Sequence, residues 1–194
     1  MQLNPNNDEI RKSYEVNSST IAVLPLQKEK SIYSLVIETE KSFQVKLKPM
    51  QIIDRSCRYY GSSYAGRKAG TFEMINVSHK PPIAVDHVNN IFMFPTFSSS
   101  RPQCGWVSLK HVDDCNSTEL DNTKVLLKNG RTLEIPVSSA SFKHQVQRTA
   151  WLRTKFLDRL ETKTANLPDF MELSPENQAK LFYDYILREI RKRY

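Results

Sequence analysis

The sequence predicts an α+β fold: a β-rich body over residues 13–140 with a short helix near 50–60, then a C-terminal two-helix part over 141–194. Three observations predict it. Residues 19–137 hold short apolar or alternating runs of strand length. Prolines and glycines punctuate those runs. After Ser141 the apolar residues change to helical spacing. The body and the helical part are expected to form one compact unit.

In chain order, residues 1–12 are polar and contain Asn and Pro, which predicts a flexible N-terminus. Strands are expected at Ser19–Leu24, Ser31–Glu38 and Ser42–Lys48, the last alternating Phe43, Val45 and Leu47 with Gln44, Lys46 and Lys48. Pro49 can open a helix, and Met50, Ile53, Cys57 and Tyr60 follow at three- and four-residue steps before Gly61. Residues 61–70, GSSYAGRKAG, hold three of the five glycines and read as a loop. Further strands are expected at Thr71–Val77, Ile83–Val85, Ile91–Phe94 and Trp106–Val112. Asn129-Gly130 between Lys124–Lys128 and Arg131–Val137 reads as a hairpin with a type I′ turn. Phe142, Val146, Ala150, Leu157 and Leu160 form the apolar stripe of a helix over Ser141–Glu161, with Leu152 and Phe156 beside it. Ser174-Pro175 caps a second helix, Glu176–Arg193, apolar at Leu181, Phe182, Tyr185, Ile186 and Ile190.

The formal charge is +7, and it is clustered. Residues 51–80 carry +3 and 141–194 carry +4, against +1 over 1–50 and −1 over 81–140. Clustered positive charge suits a polyanionic partner, although solubility alone also accounts for it. Three cysteines, Cys57, Cys104 and Cys115, show no paired spacing, which argues against a disulfide framework and for a reducing compartment. The N-terminus has no apolar signal region, and runs such as IAVLPL and IFMF are too short to span a bilayer. The expected location is the cytoplasm, with no membrane partner.

Two constellations point to an anionic partner. In DRSCRYYGSSYAGRKAGT (54–71), Arg55, Arg58, Arg67 and Lys68 interleave with three tyrosines around glycines that let backbone N–H groups approach a phosphate. The Gly61–Gly66 spacing matches a Walker A loop, but Arg67 and Lys68 stand where Lys and Ser/Thr are needed, so nucleotide hydrolysis is rejected. On the helix at 141–161, Arg148, Trp151, Lys155 and Arg159 share the side opposite the apolar stripe. Trp151 there could stack on a base, wedge into a groove, enter a subunit interface or be covered by another part of the chain. Arg153 intrudes on the stripe as a buried pairing residue or a snorkelling edge residue.

Other chemistry is poorly supported. Cys104 with one of His79, His87, His111 or His144 would make a thiol-dependent enzyme, and Cys104, His111 and Cys115 could in principle hold zinc. Neither has a motif, and buried structural cysteines are the better reading, with no metal and no cofactor. The two C-terminal helices are a dozen residues apart, so no helix–turn–helix is expected. A basic protein-interaction module remains a rival.

Six blocks together carry a resemblance: SYEVNSSTIAVLP (13–25), KPMQIIDRSCRYYGSSYAGRKAGT (48–71), SHKPPI (78–83), FPTFSSSRPQCGWVS (94–108), RTAWLRTKF (148–156) and YDYILRE (183–189). The chain resembles the ComK family of competence transcription factors from Bacillus-type bacteria over nearly its whole length. The resemblance implies a non-enzymatic activator of genes for DNA uptake and recombination, acting also on its own promoter. It implies binding as two dimers to paired A·T-rich boxes, mainly through the minor groove, and contact with RNA polymerase. It also implies delivery to a Clp protease by an adaptor that binds before the last helix, where Phe170 and Met171 keep the expected pattern and residues 172–175 do not. Arg55, Arg58, Arg67, Lys68, Arg148 and Lys155 are then the expected DNA-facing residues, and Trp151, Arg153 and Arg159 are further DNA or interface candidates.

Overall fold

A computed structural model describes residues 10–29, 31–164, 174–177 and 179–180. The chain divides into two compact units, Met1–Phe156 and Leu157–Tyr194. The first unit thus takes in the start of the C-terminal helical part. The α+β class holds: among the described residues the strands lie before Ser139, and the 26-residue helix Ser139–Thr164 follows them.

The strands of the large sheet are β1 (Ile10–Arg11), β2 (Thr20–Lys28), β3 (Ser31–Glu38), β4 (Ser42–Val45), β5 (Ile83–Asp86), β6 (Ile91–Pro95) and β7 (Trp106–Ser108), in the spatial order β1-β4-β3-β2-β7-β6-β5. All neighbours are antiparallel except β1 and β4. A small antiparallel sheet is formed by β8 (Val112–Ser117), β9 (Thr123–Leu127) and β10 (Thr132–Ile135). Residues 10–164 also form the helices α1 (Pro49–Tyr59), α2 (Tyr64–Ile75) and α3 (Ser139–Thr164).

The large sheet is covered on both faces, which is why its central strands are continuous apolar runs. Val23, Val36, Met93 and Trp106 face α1, where Ile52, Ile53 and Cys57 pack on them. The alternate positions, Ala22, Ile37, Phe94 and Val107, meet Val125, Leu127, Leu133 and Ile135 of the small sheet and Phe142 of α3. At the β5–β6 end, Ala84 and Phe92 lie in a third cluster with Ile75 of α2 and Leu152 of α3.

Several local expectations are corrected. Ile10–Arg11 pair in parallel with Gln44–Val45, a short strand that was not expected, and the Arg11 guanidinium lies 3.7 Å from the centre of the Phe43 ring. Residues 64–75, read as loop and strand, form one helix. Ser63 accepts the Gly66 N–H at 3.0 Å as its cap, and Asn76 closes it in the left-handed conformation at φ 53°. Helical glycine costs ~1 kcal/mol relative to alanine. Burial of Thr71 and Ile75, with Thr71 Oγ1 donating to the Pro82 carbonyl at 2.7 Å, overrides that cost at Gly66 and Gly70. The strand expected over 106–112 is broken by a 3-10 turn at Leu109–His111, where the chain leaves the large sheet for the small one.

The hairpin at Asn129-Gly130 is present, but its turn differs. Gly130 has φ 77°, whereas Asn129 is not among the positive-φ residues. Gly130 N–H donates to the Leu127 carbonyl and Leu127 N–H to the Arg131 carbonyl. This three-residue loop ends in a glycine bulge and not in a type I′ turn, which needs positive φ at both positions.

Helix α3 is rotated relative to the expected stripe. Phe142, Gln145, Thr149 and Leu152 are buried, while Ala150 and Leu157 are exposed. Gln145 replaces an apolar residue because it faces two backbone acceptors: its Nε2 donates to the Pro95 carbonyl at 2.8 Å and the Lys80 carbonyl at 3.1 Å. Buried carbonyls without such a donor would be costly. The second predicted helix lies outside the described residues, except that 175–177 and 179–180 are helical and Ser174 precedes them.

Candidate nucleic-acid interface

Helix α1 opens at Pro49, with Lys48 N–H donating to the Gln51 side chain at 2.8 Å. Its buried side is Ile52, Ile53, Ser56 and Cys57, which turns Arg55 and Arg58 outward. Both are paired on the surface. The Arg55 Nε donates to Glu15, and Arg58 meets Asp54 at 2.8 Å while its side chain stays 72% exposed. Exposed pairs of this kind are worth little and exchange readily for phosphate.

Residues 60–63 join α1 to α2, with Gly61 at φ 75° making the reversal. Two helices joined by four residues form a helix–turn–helix in connectivity. Arg67 is half-buried, and its guanidinium donates to the Tyr60 carbonyl at 3.0 Å, so it ties α2 to the end of α1. Its Nε is buried without a partner. Lys68 is exposed. Four residues on, Phe72 is 45% exposed on the same ridge. Phe72 was missed because residues 71–77 were read as a strand; once 64–75 is helical, its spacing from Lys68 is the signal.

On α3, Trp151 is 50% exposed, so no other described element covers it. Arg148 and Lys155 flank it, both half-exposed. Arg148 reaches the His79 carbonyl at 3.4 Å. Arg159 is exposed in the second compact unit. Arg153 is an edge residue whose Nε donates to the Asn90 side chain at 2.7 Å, away from the Trp151 ridge. The candidates therefore fall into an α1–α2 group and an α3 group. Helices α2 and α3 share the cluster around Ala84 and Phe92. Phe170 and Met171 lie outside the described residues.

The thiols show no sign of activation. All three cysteines are buried. Burial pushes the Cys57 and Cys104 thiols up to about 11 from an ordinary 9, and it raises Cys115 as well. Cys104 Sγ donates to the Phe97 carbonyl at 3.3 Å. A nucleophilic cysteine needs a lowered value and a base in reach. His87 instead stacks on Phe156, and the His111 ring contacts the Ser18 carbonyl at 3.0 Å. Among the described residues no three His, Cys, Asp or Glu side chains cluster as metal ligands.

The raised thiols carry a pH prediction. Folded Cys57 and Cys104 hold protons that the unfolded chain sheds above pH 9. Stability is therefore level in this respect below pH 9 and falls as pH rises from 9 toward 11. Thermal melts followed by circular dichroism check this, and the Cys57→Ala/Cys104→Ala double variant should show a shallower alkaline fall.

Comparison with known proteins places these features in a family. A family model described as "ComK protein" matches residues 11–161. The chain belongs to the ComK family. It is also 55% identical over 183 residues to the "Competence transcription factor" of Bacillus subtilis (strain 168), covering 94% of this chain and 95% of that one. No solved structure matches. The match to the ComK family spans α1, α2 and most of α3, so every basic candidate on those helices lies within it. Among the described residues no helix is long and apolar enough to cross a membrane.

Proposed function

We propose that this ComK-family chain is a cytoplasmic, non-enzymatic activator of competence genes that binds A·T-rich DNA. The observation that carries the reading is the near full-length 55% identity to a competence transcription factor. The exposed cations and aromatics of α1, α2 and α3 are consistent with it. Minor-groove binding is the mode favoured, since a narrow A·T groove attracts arginine through its negative potential and admits an apolar wedge. Trp151 is the proposed wedge, with Arg148 and Lys155 beside it on backbone phosphates. Arg55, Arg58 and Lys68 supply further phosphate contacts, and Arg67 positions the α1–α2 turn.

The family resemblance supports the rest of the reading: two dimers on paired boxes, action on its own promoter, contact with RNA polymerase, and Clp-adaptor binding through Phe170 and Met171. The groove is tested by competition. A minor-groove-binding drug should displace the protein from an A·T-rich duplex, whereas bulky substituents placed in the major groove of the same duplex should leave binding intact. The reverse pattern would assign the contact to the major groove and to the α1–α2 unit.

A further inference from the structure

A second basic feature lies apart from the Trp151 ridge. A pocket of about 190 Å³ is lined by Asn90, Phe92, Leu109, Lys110, Lys128 and Arg153. A water occupies ~30 Å³ of liquid, so the space admits a tetrahedral oxyanion with several waters. Three of the six lining residues are cations and none is acidic.

The cations come from three separate segments, and each is anchored. Lys110 sits in the 3-10 turn before β8, with its Nζ 3.4 Å from the Ser18 carbonyl. Lys128 ends the β9 side of the hairpin, and its backbone N–H donates to the His111 carbonyl at 3.1 Å. Arg153 comes from α3 and is held by Asn90, whose left-handed backbone at φ 58° closes the β5–β6 turn. The nearby carboxylate of that turn, Asp86, is occupied by Val88 N–H, Asn89 N–H and the Asn89 side chain. Among the described residues the ion pairs are Lys41–Glu38, Arg55–Glu15 and Arg58–Asp54, so the three pocket cations have no carboxylate partner there. Lys110 and Lys128 also act on His111, whose imidazole is held below its ordinary value first by burial and then by these two charges.

Three like charges gathered around an apolar floor of Phe92 and Leu109 repel one another unless an anion joins them. We infer that the Lys110–Lys128–Arg153 pocket binds a phosphate group, and that on DNA this group is a backbone phosphodiester. The first half stands on the pocket alone. The second rests on the DNA reading above. Arg153 lies two residues from Trp151, about 200° round α3, so a phosphate in this pocket would be held on the side away from the Trp151 ridge.

The test uses the full chain and two ligands. Inorganic pyrophosphate titrated calorimetrically should bind the native protein, and Lys110→Gln/Lys128→Gln should weaken it at least tenfold with an unchanged far-ultraviolet spectrum. A control pair of exposed lysines elsewhere, Lys124→Gln/Lys143→Gln, should keep the native affinity. In parallel, loss of the one phosphate contact lowers the salt slope of binding to an A·T-rich duplex by about 0.9, so that between 50 and 200 mM salt the variant loses about 3.5-fold less affinity than the native protein. Pyrophosphate binding lost in the variant with the slope unchanged would support a free phosphoanion ligand and overturn the DNA half. No pyrophosphate binding, or equal loss in the control pair, would overturn the site. If the native protein failed to bind duplex at all, the function proposed above would fall, and the pyrophosphate titration would still decide the pocket.

Discussion

Replacing Trp151 with alanine is expected to lower affinity for an A·T-rich duplex by about five- to 150-fold, the equivalent of ~1–3 kcal/mol for an aromatic ring stacked on a base. The fold should hardly change, because half of the Trp151 surface is already in water and the residue is not part of a buried cluster. That separation makes the variant informative: an equilibrium melt should superpose on that of the native protein while the binding curve shifts. The salt slope should stay the same, since an indole neutralises no phosphate. Arg148→Gln/Lys155→Gln should do the opposite, reducing the slope by about 1.8. A Trp151→Ala protein with native affinity would remove the wedge and leave Trp151 as a residue for another interface.

Phe142→Ala should give the largest loss of stability. The ring is 1% exposed and packs edge-to-face on Phe94 at 5.3 Å between centroids. It joins the start of α3 to the cluster shared by the two sheets. Truncating a buried phenylalanine costs ~3–5 kcal/mol through lost burial and an unfilled cavity. For a domain of this size that lowers Tm by on the order of 10 °C. DNA binding should survive at low temperature and fail at a correspondingly lower temperature than in the native protein. Parallel melting and band-shift titrations check this; an unchanged Tm would mean that α3 is not anchored at Phe142.

The central strands of the large sheet were legible because their residues are determined locally and by two-sided burial, whereas β1 and β8 were not expected. Ile21, Val23, Val36 and Ile37 read as strand from composition alone, and they are the centre of the large sheet. The α1 stripe was legible for the same reason, with Ile53 and Cys57 spaced on one side. What failed depended on partners distant in sequence. Gly66 and Gly70 suggested a loop, yet Thr71 and Ile75 find buried contacts that hold α2 helical. The orientation of α3 could not be had from hydrophobicity, because Gln145 is drawn inward by the carbonyls of Pro95 and Lys80. Leu109–His111 turn the chain between sheets, and nothing local marks that switch.

The site was legible to the same degree. The exposure of Trp151 follows from helical geometry once α3 is recognised. The engagement of Arg67 with Tyr60, and of Arg153 with Asn90, required the third dimension. Phe72 became visible only when α2 replaced the expected strand. Lys110 and Lys128 lie far apart in the chain, and no spacing rule would join them to Arg153.

The function proposed for this chain, a DNA-binding activator that prefers A·T-rich duplex, is open to direct measurement. Its most direct measurement is a band-shift titration of the native protein against A·T-tract and G·C-rich duplexes of equal length, each at several salt concentrations. Tighter binding to the A·T tract is expected at every salt concentration, with a linear loss of log affinity against log salt for both duplexes. Equal affinity for the two, or no binding to either at low salt, would contradict it.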